Sequence, residues 1–308
     1  MSIFKRIPIP LCAVALGMFG LGNLLQSYSE GIRLLCGAVA AVLLLLFLIS
    51  VIVDFKKFLG EMKNPIMASV FCTFPMALMM LATYIKPYIG PPAKALWFVG
   101  IGLHVVLIVY FTLKFVLGFS LEKVFASWFI VYVGIAMAGI TAPAFDGMAI
   151  GSACVKFGLA ALAVLLVLVT VRYLKKPVPK PDQPLICIYA APTSLCIAGY
   201  VQSVTPKSLS LLMALWAVAT LLFVFACVKF VQYIKLPFFP SYASFTFPFV
   251  ISAIASKQLM ACAANLGSPM PFLNTVVLIE TVIAVCTTLY ALARYLVFIF
   301  AGPKQPAR

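Results

Sequence analysis

Runs of about 20 apolar residues, parted by short polar breaks, recur along the whole chain. They fall at 8–27, 32–53, 65–85, 94–116, 124–143, 149–172, 184–204, 208–233, 241–260 and 271–300. A helix of that length crosses the roughly 30 Å hydrocarbon core, whereas membrane strands would alternate apolar and polar over about ten residues. Backbone in lipid must satisfy its own hydrogen bonds. The pattern therefore predicts an all-α integral membrane protein of ten transmembrane helices, forming one transmembrane channel domain over residues 1–308. Lys5 and Arg6 ahead of the first run resemble the start of a signal peptide. The run continues through Gly17, Gly20, Gly22 and Asn23 without a small-x-small cleavage site, so it reads as the first span.

The runs are of two kinds. Even-numbered runs, such as Ala40–Phe47 and Leu162–Leu168, are rich in Leu and Val and apolar all round, which suits lipid contact. Odd-numbered runs are shorter and hold more Gly, Ser, Thr and Pro. Pro75, Pro192 and Pro248 interrupt the third, seventh and ninth, and Pro143 ends the fifth. An interior proline kinks a helix and frees a carbonyl that needs a neighbour or water. Gly17, Gly20, Gly134 and Gly139 remove side chains where backbones approach closely. The alternation predicts five helical hairpins, with the odd helices as an inner ring around a pore. The longest polar break, 173–183, carries Lys175, Lys176, Pro177, Pro179, Lys180 and Pro181 and reads as a stiff extended cytoplasmic linker.

Composition narrows the class. The chain is 65% hydrophobic and 9% charged, with mean hydropathy +1.17, a balance no soluble domain has. The net charge of +15 does not imply nucleic acid, because the cations punctuate the ends of apolar runs. Of the 22 Lys and Arg, sixteen fall on the side of the chain termini and five on the other. That asymmetry places a multi-pass protein in the cell membrane with both termini cytoplasmic. The nine cysteines are scattered and the single histidine, His104, lies in an even run, so no metal or cofactor site is expected. The seven scattered acids offer no catalytic cluster for an enzyme.

The odd runs contain no Asp or Glu, and their one internal charge is Lys257. Cation paths ordinarily present acidic rings or ordered carbonyls. A path walled by kinked backbone and by hydroxyls such as Ser244 and Thr246 leans instead toward anions. Phe247, Ile251, Ile254 and Gln258 share one helical face of the ninth run. A ring on that face would shut a narrow bore, though core packing is the ordinary role of a Phe in a chain with 26 of them. Glu280 lies inside the tenth run, where a carboxylate costs about 2.5–3.5 kcal/mol, and Lys257 at similar depth is its expected partner. Lone His104 reads as a packing residue and Lys156 as one that reaches the headgroups.

Several segments together resemble the tellurite-resistance/dicarboxylate transporter family, which includes a bacterial tellurite-resistance channel and the plant guard-cell slow anion channels. They are Ile7-Pro8-Ile9-Pro10 with Leu16-Gly17, Asn64-Pro65 with Pro75, Ala191-Pro192, and Phe245-Thr246-Phe247-Pro248. Ala15 departs from the family's first helix, which usually has proline there. The resemblance implies a homotrimer of ten-helix protomers in membrane lipid, each with its own pore, passing small anions such as chloride and nitrate. It further implies that Phe247 plugs that pore. The expected lining is Gly17, Pro75, Gly134, Pro192, Ser244, Thr246, Pro248 and Ile251. The alternative is a secondary transporter of C4-dicarboxylates or related organic acids.

Overall fold

A computed structural model describes residues 3–301. Lys304 and Arg308, counted above among the cations near the termini, lie outside the described residues. Thirteen α-helices run in chain order: α1 Leu11–Leu25, α2 Glu30–Val53, α3 Phe55–Glu61, α4 Pro65–Phe71, α5 Thr73–Ile89, α6 Pro92–Phe111, α7 Trp128–Tyr132, α8 Met137–Thr141, α9 Met148–Lys175, α10 Ala191–Ser203, α11 Leu209–Tyr233, α12 Phe247–Asn265 and α13 Phe272–Ala301. Short 3-10 helices precede or interrupt several of them, and no strand occurs among the described residues. Eight helical stretches are long and apolar enough to cross a membrane. Two further apolar stretches, Leu11–Leu25 and Gly134–Phe145, are shorter. The protein is thus a multi-pass helical membrane protein.

Burial separates the two kinds of run. Pro65–Ile89, Lys180–Ser203 and Pro240–Asn265 have 72–89% of their most apolar stretch buried, whereas the even-numbered runs have 22–39%. Residues such as Leu45, Val106, Val164, Leu221 and Val297 on the even helices are exposed, as lipid contact requires. α1 packs on α5, α5 on α8, α8 on α10, α10 on α12, and α12 back on α1. Each also packs on the long helix that follows it: α2, α6, α9, α11 and α13 respectively.

The prolines work differently from the expected mid-helix kinks. Pro192 and Pro248 occupy the second positions of α10 and α12, and Pro75 the third position of α5. In a first turn the missing N–H costs no hydrogen bond, and the fixed φ favours starting a helix. The chain ahead of Pro192 and Pro248 is 3-10, at Lys180–Ala190 and Pro240–Phe245. Each odd run therefore breaks inside the protein and restarts as a new helix. α1 is the exception: it runs unbroken with Ala15 in its interior.

The expected 173–183 linker is shorter than its sequence suggested. α9 continues to Lys175 and the 3-10 helix begins at Lys180, leaving 176–179 between them. Arg172 donates to the Lys176 carbonyl at 3.2 Å, and Lys176 pairs with Glu122 at 3.0 Å. The latter contact draws the exposed Glu122 carboxyl below its ordinary range.

Candidate functional site

The ninth run sets the site. Its 3-10 helix ends at Phe245, and Thr246 takes an irregular backbone (φ −103°, ψ −99°) before α12 begins. Thr246 is fully buried; its hydroxyl donates to the Ala243 carbonyl at 2.7 Å and to Ala13 of α1 at 3.3 Å. A Cβ at Gly17 would lie 2.6 Å from that of Thr246, so only glycine lets α1 approach this junction. The next residue, Phe247, lies over Gly20, where an added Cβ would sit 3.4 Å from two ring carbons.

Two cavities meet at this ring. One, of about 140 Å³, is lined by the beginnings of the odd runs, including Ala13, Val70, Val133, Leu185, Ile188 and Phe247. It is almost wholly apolar. The other, of about 600 Å³, is lined by their later parts and is the more polar of the two, with Asn23, Thr83, Thr141, Gln202, Lys257 and Gln258 on its wall. Among the described residues Phe247 is the one that lines both.

The other expected lining residues divide. Gly134, Pro192, Ser244 and Pro248 line the apolar cavity, and Ile251 lines the polar one. Ile254 and Gln258 join Phe247 and Ile251 on the polar cavity. Gly17, Pro75 and Thr246 line neither. Gly17 and Thr246 face each other, and Pro75 is buried, with Thr73 and Met76 taking the wall beside it. Ser244 donates to the Pro184 carbonyl at 2.6 Å, so its hydroxyl is committed to protein.

The expected Lys257–Glu280 pair is corrected. Lys257 Nζ donates to the Leu24 carbonyl at 2.9 Å and to Ser27 Oγ at 2.5 Å. Glu280 is buried behind α12, beside Ser256, whose hydroxyl accepts from Trp216 Nε1 at 3.0 Å. Consecutive residues on a helix point about 100° apart. Ser256 and Lys257 therefore serve different neighbours, and Glu280 Oε2 has no partner among the described residues.

Sequence reasoning passed over Arg33, Asn23, Gln202 and Asp182. Arg33, in the first turns of α2, lines the polar cavity beside Lys257. Its Nε donates to Asn23 Oδ1 at 3.2 Å, its Nη1 meets Glu30 at 2.5 Å, and its guanidinium lies 4.4 Å above the Tyr84 ring. The signal for it was an arginine on the cation-poor side of the chain. His104 Nε2 lies 3.0 Å from the Val131 carbonyl, which fixes the proton on that nitrogen and ties α6 to α7. Among the described residues no group of His, Cys, Asp and Glu could hold a metal ion. No curated protein matches the chain. Residues 6–296, however, match the model of the family described as voltage-dependent anion channel (SLAC1), and the chain belongs to that family of anion-transporting membrane proteins.

Proposed function

We propose that the chain is a channel for small anions, with Phe247 as the gate between two vestibules. The supporting observation is that, among the described residues, Phe247 alone lines both the apolar and the more polar cavity. The odd helices form an inner ring around this path, the even helices an outer ring against lipid, and each hairpin supplies one of each. The whole of 1–308 acts as a single channel domain. By the distribution of Lys and Arg, both termini and the apolar cavity face the cytoplasm. The polar cavity faces the opposite side.

Arg33 and Lys257 attract anions into the polar vestibule, and the amides of Gln202 and Gln258 offer them N–H donors in place of water there. Beyond the ring the wall is apolar, so passage requires partial dehydration. Weakly hydrated anions such as nitrate and iodide then pass more readily than chloride, and the flow is passive. The assembly is a homotrimer with a path in each protomer, as the family resemblance implies; cross-linking in the membrane tests it. Liposome flux of an anion series through Phe247→Ala tests the gate.

One observation favours a second reading, a carrier for organic acids. Arg33 gives the polar cavity a second cation beside Lys257, and about 600 Å³ is ample for such a solute. Saturable uptake that follows a proton gradient would identify the carrier; flux that is linear in concentration and indifferent to the gradient identifies the channel.

A further inference from the structure

Among the described residues Asp182 is the one acid on the wall of either cavity, and it lines the apolar one. Its position is held closely. Ser241 Oγ donates to the Pro181 carbonyl at 2.5 Å, and Ser244 Oγ to the Pro184 carbonyl at 2.6 Å. These two bonds pin the residues on either side of Asp182 to the 3-10 segment that leads into Phe247. Carboxylate and gate are thus set on one scaffold.

The carboxylate makes no ion pair among the described residues. Ion pairs among the described residues join Arg33 to Glu30, Lys57 to Glu61 and Lys176 to Glu122, and none involves Asp182. Nearby Arg172 is turned to the Lys176 carbonyl and lies 4.5 Å above the Phe125 ring. Lys180, two residues away on the same segment, is exposed. In a chain with 22 cations and seven acids, an unpaired carboxylate is placed at one mouth of the path, while Arg33 and Lys257 stand at the other. A fixed negative charge lowers the local concentration of anions, just as acidic rings favour cations.

We propose that Asp182 is a charge filter at the apolar mouth, which hinders anions approaching from that side and makes conduction rectify. This rests on the channel reading above. A unit charge ~6 Å from the passing ion, at an effective dielectric of about 40, alters passage by about tenfold.

The test uses planar-bilayer currents in symmetrical chloride, in a Phe247→Ala background that leaves the bore unplugged. The expected result is a larger current for anions arriving through the polar mouth. Adding Asp182→Asn raises the weaker limb about tenfold and lessens the rectification to what Arg33 and Lys257 at the other mouth impose, whereas Asp182→Glu preserves it. Because the effect is electrostatic, rectification also fades in 1 M salt, where screening acts over about 3 Å. A purely structural role would give neither the salt dependence nor the difference between Asn and Glu. Unchanged limbs on Asp182→Asn in a conducting background overturn the filter alone. No anion current from folded, inserted Phe247→Ala overturns the channel reading and the filter together.

Discussion

Replacing Phe247 by alanine removes the one side chain, among the described residues, that lines both cavities, of about 140 and 600 Å³. The wild-type ring is 6% exposed and rests over Gly20. Under the proposed gating, conduction requires it to leave that packing, and exposing a buried Phe costs about 1.5–3 kcal/mol. At about 1.4 kcal/mol per decade, the ring keeps the path shut in all but roughly one part in ten to one in a hundred. Phe247→Ala is therefore expected to raise anion flux about ten- to a hundredfold in liposomes, without reversing the order of anions. The fold is expected to lose about 3 kcal/mol, the low end for Phe→Ala, because the ring already borders empty space on two sides. Phe249→Ala is the control. Phe249 is fully buried with its ring 5.8 Å from Phe223 and 5.9 Å from Phe230, and it lines neither cavity. It is expected to cost stability and leave flux unchanged. Wild-type flux from folded Phe247→Ala, or an equal rise with Phe249→Ala, refutes the gate.

Further substitutions probe the surroundings. Gly17→Ala drives a Cβ into Thr246 and to 3.0 Å from the Phe247 backbone nitrogen; overpacking of this kind costs about 1–3 kcal/mol, seen as a lower melting temperature in detergent. Lys257→Gln removes one of two cations from the polar cavity and is expected to lower anion flux several-fold at low salt, with the difference shrinking at 1 M. Glu280→Gln is expected to leave flux unchanged and the melting temperature equal or higher, since no cation is lost and an unpaired buried acid is replaced. Equal loss of folded protein from Lys257→Glu and Glu280→Lys, with full rescue in the double variant, would reinstate the pair.

The helical membrane class was legible because lipid leaves the backbone few choices, and run length selects among them. The contrast between buried odd and exposed even runs was legible for the same reason, since a helix apolar all round such as α2 or α9 suits lipid. What the prolines do was not. The sequence marks Pro192 and Pro248 as breaks, but a kink and a restart differ in the residues before the proline, where 3-10 and α propensities are too close to separate. Thr246 read as wall because hydroxyls suit a pore. Its bonds to Ala13 and Ala243 depend on how closely α1 approaches, which only the fold sets. Lys257 and Glu280 matched in depth but not in azimuth, and azimuth decides an ion pair. Asp182 escaped notice because it sits at the edge of the polar linker, where an acid is ordinary; the 3-10 turn carries it to the cavity wall.

The broken runs also explain how so apolar a chain can present a path to an anion. A continuous helix hides every N–H and C=O in its own ladder and offers an ion nothing but side chains. A restart such as α12 interrupts that ladder at the positive end of the helix dipole, where Pro248 has no N–H and Phe249 and Val250 both donate to the Thr246 carbonyl, at 3.1 and 3.4 Å. α5, α8, α10 and α12 all begin in the interior of their runs, at Thr73, Met137, Ala191 and Phe247. Proline is tolerated in such a first turn and disruptive later in a helix. The same residue type therefore starts the helix and limits how far its N-terminus can shift along the run. Phe247 is the first residue of α12, so the proposed gate hangs from a point where the ladder is incomplete and a small rotation breaks few backbone bonds. A phenylalanine in the middle of an unbroken helix would have to carry the whole helix with it.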